Sequence, residues 1–167
     1  MGMFSHPGLP TLHDYIEDEG ETFLIMEYVE GETLYEYVKR NGSLDCEECL
    51  VLAEELAEIL CYLHSLPTPV FYGDLKPSNI IYQKDKPVTL IDFGTTSFLK
   101  GERKEGFYSE GYTAPEALGG ERFLSSDIYS FGKVMQFAVS GRNPTLQEMA
   151  WDEKEWQRYG IKDKFAQ

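Results

Sequence analysis

The apolar positions of this chain change period several times, and each change marks an element. Over residues 12–29 two short runs, Leu12 to Ile16 and Thr22 to Val29, flank the acidic break Glu17-Asp18-Glu19-Gly20-Glu21. β-prone residues on both sides of a polar, glycine-containing break predict a hairpin. From residue 45 the period turns helical, with Cys49, Ala53, Leu56, Leu60 and Leu63 at i, i+4, i+7, i+11 and i+14. Asp45 and Glu48 stand ahead of that stripe at capping-box spacing, so an amphipathic helix is predicted over 45–65. Pro67 and Pro69 stop it, since proline offers no N–H to continue the ladder. Three short apolar runs follow, Val70 to Tyr72, Ile80 to Tyr82 and Val88 to Ile91, the last two joined by Gln83-Lys84-Asp85-Lys86. They read as strands that frame loops.

Residues 94–120 hold many Gly, Ser and Thr and keep no period; a segment of that length without an element is more often functional than a plain connector. Ser126-Asp127 then precede a run that is apolar on nearly every face, from Ile128 and Tyr129 through Phe131 to Val139. This predicts a helix capped by Ser126-Asp127, buried all round and ended by Gly141. A polar, amphipathic stretch around Glu148 to Tyr159 predicts a last helix. The fold class is α+β, with the strands first.

Composition narrows the partners. The 167 residues are 42% hydrophobic, and 15 Lys+Arg against 29 Asp+Glu give a net charge of −14. One domain is expected, and a nucleic-acid partner is not, because phosphate backbones are met by basic surfaces. Residues 1–38 carry nine acids and no Lys or Arg. No apolar run approaches the roughly 20 residues of a membrane helix, so no membrane partner is expected. Three cysteines, Cys46, Cys49 and Cys61, do not make a disulfide framework, which points to a reducing, cytoplasmic setting. Cys46-x-x-Cys49 fits one helix face better than a redox pair. His64 at a helix end reads as packing or capping, and Trp151 and Trp156 as helix-face packing.

The chemistry gathers in Tyr72-Gly73-Asp74-Leu75-Lys76-Pro77-Ser78-Asn79, which sets a carboxylate, an ammonium and a carboxamide within six residues of a strand end. Such a set can serve phosphoryl transfer. The Asp orients and deprotonates an attacking hydroxyl, the Lys neutralises the phosphoryl in flight, and the Asn carbonyl ligates a hard Mg²⁺. Eighteen residues after Asp74 comes Asp92-Phe93-Gly94, whose carboxylate offers a second Mg²⁺ ligand.

Together these segments resemble the eukaryotic-like, bacterial-type serine/threonine protein kinase family. Tyr72 to Asn79 match its catalytic loop, Asp92-Phe93-Gly94 its metal motif and Ala114-Pro115-Glu116 the end of its activation segment. Ser126 to Gly132 resemble the start of its central helix, and Leu24 to Gly31 its hinge. Five motifs in order carry far more weight than any one tripeptide. The resemblance implies a protein-kinase-like fold: residues 1–26 a remnant of the small lobe, 27–31 the hinge, and 32–167 the α-rich large lobe, incomplete at its carboxyl end. It implies ATP and Mg²⁺ as cofactors and protein Ser/Thr hydroxyls as acceptors.

Roles follow position by position. Asp74 would be the catalytic base, Lys76 the γ-phosphate contact, and Asn79 and Asp92 the metal ligands. Met26 would be gatekeeper, Glu27 and Val29 would bond adenine through their backbone, Ile81 would pack under the ring, and Glu32 or Thr33 would lie near the ribose. Ser109 would line the acceptor site. Glu116 and Asp127 would be structural, the latter bonding the catalytic-loop backbone as well as capping its helix.

Some positions depart from the family. Tyr72-Gly73-Asp74 lacks the arginine that pairs with a phosphorylated activation loop, so switching of that kind is not expected. Neither a GxGxxG loop nor a lysine precedes Glu27, and Arg142 and Arg158 are poorly placed to pair with Glu116. The chain alone is therefore expected to be weak or inactive. The alternatives are a non-catalytic pseudokinase or interaction module, and a small-molecule phosphotransferase of the aminoglycoside or choline type. The hairpin's bare edge would suit a partner chain or self-association.

Overall fold

Two reciprocal capping boxes set where the amino-terminal helices begin. In the computed structural model, which describes residues 5–18, 21–98, 108–121, 123–145, 151 and 153–159, helix α1 (Leu34–Asn41) is opened by Thr33 with Glu36, and α2 (Cys46–His64) by Asp45 with Glu48. Glu48 N donates to Asp45 Oδ1 at 2.9 Å and Asp45 N to Glu48 Oε2 at 3.0 Å, so two otherwise unpaired donors are satisfied together. The stripe read from the sequence is the buried face of α2, joined by Leu52 and Ile59.

That face packs against α4 (Leu124–Ser140). Every residue of α4 from Lys133 to Val139 is buried, yet Ile128 is 54% exposed, so the helix is buried all round only in its second half. Its start also differs from the sequence reading: Phe123 is the N-cap and makes no side-chain cap bond. Ser126 and Asp127 lie inside the first turn, their side chains taken by tertiary partners instead. Gly141 closes the helix in the left-handed conformation, φ 69°.

The strands are short. Hairpin β1 (Leu12–Asp18) and β2 (Glu21–Met26) forms a two-stranded sheet, extending further into the acidic break than expected. Tyr15 pairs with Leu24 and Ile16 with Phe23, so each face of the ribbon carries an apolar pair; all four side chains are exposed, Tyr15 at 60%. A second antiparallel sheet has the order β3 (Glu32–Thr33), β5 (Ile80–Tyr82), β6 (Thr89–Leu90). The third pairs β4 (Val70–Phe71) with β7 (Ser97–Phe98).

The aperiodic segment after residue 94 therefore holds β7 and a short helix, α3 (Pro115–Leu118); residues 99–107 lie outside the described residues. The final helix, α5, is Glu153–Arg158, and the predicted part from Glu148 to Ala150 also lies outside them. Trp151 and Trp156 meet edge-on at 5.0 Å and pack against the core. Among the described residues no helix is long and apolar enough to cross a membrane.

Candidate active site

Strand β4 delivers the chain into the loop that carries the chemistry. Tyr72 is fully buried; its hydroxyl donates to the Ile91 carbonyl and its ring meets Phe93 edge-on at 5.7 Å. Burial pushes its ionisation well up, and the neighbouring Asp92, Asp74 and Asp127 charges push the same way. Gly73 follows at φ +88°, and a Cβ there would stand 2.9 Å from the Phe71 ring and 3.3 Å from the Thr95 carbonyl oxygen. Only glycine takes that conformation and approach without strain.

Asp127 holds the loop from beneath. Its Oδ2 accepts from Tyr72 N and its Oδ1 from Gly73 N, each at 2.9 Å. His64 Nε2 lies 2.9 Å from Oδ2, so one buried carboxylate ties together the end of α2, the start of α4 and the loop. From the other side, the Tyr72 carbonyl accepts Thr95 Oγ1 at 3.1 Å and Thr96 Oγ1 at 3.4 Å. Glu116 accepts from Ser126 Oγ at 2.8 Å, which anchors α3 on α4.

Asp74 is nearly buried and its two oxygens face different groups. Oδ2 accepts from Lys76 Nζ at 2.6 Å and from Asn79 Nδ2 at 3.1 Å. Oδ1 accepts from Ser109 Oγ at 2.6 Å, and Lys76 Nζ also donates to that hydroxyl at 3.1 Å. Asn79 sits in the 3₁₀ turn Pro77–Asn79 and donates to the Asp74 carbonyl at 2.9 Å. Ile91 N donates to the Asn79 carbonyl at 2.9 Å, which draws Asp92 to the same loop. Asp92 is exposed, at φ +66°, a conformation uncommon outside glycine and frequent at functional sites.

Asp74, Lys76, Asn79 and Ser109 are thus brought into one hydrogen-bonded set. The hinge residues lie elsewhere: Met26 ends β2 and is half-buried like Val29, while Glu27 N donates to the Thr11 carbonyl at 2.8 Å. Hydrogen bonds from Thr11 hold the Glu27 carboxyl below its ordinary range. Gly31 passes so close to Ile81 that a Cβ would lie 2.6 Å from its Cγ2. Thr33 Oγ1 is engaged as the α1 cap, accepting from Glu36 N at 3.2 Å, and Glu32 pairs with Arg40.

Among the described residues no group of three or more His, Cys, Asp and Glu side chains is arranged to hold a metal. The Asn79 side-chain carboxamide oxygen and the Asp92 carboxylate are nevertheless the hard oxygen donors that suit Mg²⁺, an ion that keeps several waters and needs few protein ligands. Cys49 is buried, and that burial pushes its thiol up to about 12.

Sequence reasoning missed His64, Thr95 and Thr96 as supports of the loop. No local signal marked them, because each acts through a partner distant in sequence.

The family model for the protein kinase domain matches residues 1–164. Serine/threonine-protein kinase B of Synechocystis is 30% identical over 98% of this chain and 31% of its own length. Serine/threonine-protein kinase cds1 of Schizosaccharomyces pombe is 33% identical over 83% of this chain and 32% of its own. For serine/threonine-protein kinase PrkC of Bacillus subtilis the figures are 32%, 87% and 23%. The chain spans about a third or less of the length of these relatives. The loop carrying Asp74, Lys76 and Asn79 and the family match agree: this chain belongs to the protein kinase family and has its α+β fold.

Proposed function

We propose that the chain carries the phosphoryl-transfer part of a protein serine/threonine kinase. The observation that supports this most is the closed set in which Asp74 meets Lys76, Asn79 and Ser109 at 2.6–3.1 Å. Lys76 and Asn79 fix one oxygen of Asp74, leaving the other turned to a hydroxyl. That hydroxyl belongs to Ser109 in the resting chain, and a protein Ser or Thr takes its place as acceptor. Asp74 then orients the acceptor and receives its proton, while Lys76 offers its charge beside the same oxygen.

Asn79 and Asp92 would hold Mg²⁺. When bound with ATP, the ion supplies neutralisation of the phosphate charge. Residues 27–31 serve as hinge between the part formed by 1–26 and the larger part formed by 32–167. Met26, the Glu27 and Val29 backbone and Ile81 frame the adenine. Glu32, paired with Arg40, or Thr33, whose hydroxyl caps α1, lies near the ribose. Free Cys46, Cys49 and Cys61 favour a cytoplasmic setting, and the bare hairpin suits a partner strand.

The relatives named serine/threonine-protein kinases, with Lys76, favour protein over small-molecule acceptors. Calorimetric titration of Mg·ATP, with Asp92→Asn alongside, tests the proposal. Binding that weakens at least tenfold in the variant is expected. Absence of binding at millimolar nucleotide would overturn it and leave a non-catalytic interaction module.

A further inference from the structure

Between the start of α2 and the turn joining β5 to β6 lies a cleft of about 520 Å³, outside the catalytic loop. That is the size of a small-molecule site. Its walls are tied to each other: Glu55 Oε2 accepts from Val88 N at 2.9 Å, Lys84 Nζ bonds Glu48 Oε1 at 2.8 Å, and Lys86 N closes the turn on the Gln83 carbonyl at 3.1 Å. The cleft is therefore preformed.

Its lining holds five acids against two lysines, which selects a cation. Glu48, Leu52 and Glu55 follow at i, i+4 and i+7, so α2 presents carboxylate, apolar surface and carboxylate in one line. Seven helical residues cover about 10 Å. Val51, 49% exposed, and Pro87 widen the apolar middle. Among the described residues these acids are strung out rather than gathered as for a metal, which suits a long cation. Acids at a helix start are ordinary, because they offset its dipole. The Tyr82 hydroxyl is not: the residue lines the cleft and is only 6% exposed, yet among the described residues that hydroxyl makes no hydrogen bond. Burial pushes its ionisation up and the Glu48 charge adds to this, which places the hydroxyl at the Glu48 end. A nearly buried polar group without a partner favours a ligand that supplies one. Lys84 displays the chemistry that fits, an aliphatic stem ending in an ammonium on Glu48.

We propose that this cleft binds a linear aliphatic polyammonium ion. One ammonium is shared by Glu48 and the Tyr82 hydroxyl, the methylenes lie over Val51, Leu52 and Pro87, and a second ammonium meets the Glu55 oxygen that Val88 leaves open. Lys84, whose side chain is 57% exposed, swings aside. The proposal stands apart from the phosphoryl-transfer reading and uses none of its residues.

The test titrates spermidine into the full chain by calorimetry, with butylamine as the one-charge comparison. Sodium chloride at about 0.15 M screens diffuse attraction beyond roughly 8 Å. Expected is one site that takes spermidine at least about tenfold more tightly than butylamine, weakened about tenfold by Glu55→Gln and severalfold by Tyr82→Phe. The paired change Glu17→Gln with Asp18→Asn removes two charges from the β1–β2 ribbon and should leave the affinity unchanged. Tyr82→Phe removes a hydroxyl that bonds nothing in the fold, so it should melt with the parent chain and keeps the test decisive if Glu55→Gln does not fold. Unchanged affinity in Tyr82→Phe, or equal weakening by the ribbon pair, would overturn the site. Absence of spermidine binding would overturn it too, whether or not an arginine-rich peptide binds in its place.

Discussion

A carboxylate as deeply buried as Asp127 is tolerable only because donors surround it. Asp127→Asn keeps the shape but turns an NH₂ toward at least one of the Tyr72 N, Gly73 N and His64 Nε2 groups. It should lose about 1–3 kcal/mol in urea unfolding, the usual cost of a buried group left without its partner. Cys49 supplies a second prediction. Its folded thiol is raised from the ordinary 9.0 to about 12, so the unfolded chain releases that proton first. Stability contributed there is intact below pH 9 and falls as pH climbs towards 12. Alkylation at pH 8 should accordingly label exposed Cys46 and Cys61 and spare Cys49 until the chain unfolds. At this scale the sequence revealed Asp74, Lys76 and Asn79 because they sit within six residues of one another. The pairing of His64 with Asp127 was illegible, because it joins residues 63 apart and nothing local selects the partner.

Elements were read well where one local signal decided them. Helix α2 begins where its capping box stands, and Asp45→Ala should lower stability by ~1 kcal/mol, measured by thermal or urea unfolding. Helix α4 was misread at its start for an instructive reason. Ser126 and Asp127 have the side chains of a cap, but Glu116 engages the first and the loop backbone the second. Tertiary bonds outbid the local one, and the helix starts earlier, at Leu124. Strand β7 was missed because two residues carry no period; its pairing with Val70 and Phe71 exists only in the folded chain. Close backbone approach was equally invisible: a Cβ on Gly111 would lie 2.1 Å from the Pro144 carbonyl oxygen. Gly111→Ala should therefore shift the stretch bearing Ser109 and reduce thermal stability more than Gly120→Ala, where the added Cβ meets nothing within 4 Å although both glycines have φ +79°.

For the whole molecule, charge and exposed apolar surface act against each other. The ribbon of β1 and β2 shows Tyr15 and Leu24 on one face and Ile16 and Phe23 on the other, amid a segment with nine acids and no Lys or Arg before Lys39. Two copies that bring these ribbons together must also bring their carboxylates together. Like charge acts over roughly 30 Å at 0.01 M salt but only about 3 Å at 1 M, whereas apolar attraction does not weaken with salt in the same way. The chain should thus behave as a charge-stabilised colloid. Its osmotic second virial coefficient, read by light scattering, should be positive in dilute buffer and turn negative as sodium chloride is added. Phe23→Glu, which adds a carboxylate to the ribbon and removes the exposed ring from that face, should hold the coefficient positive to higher salt.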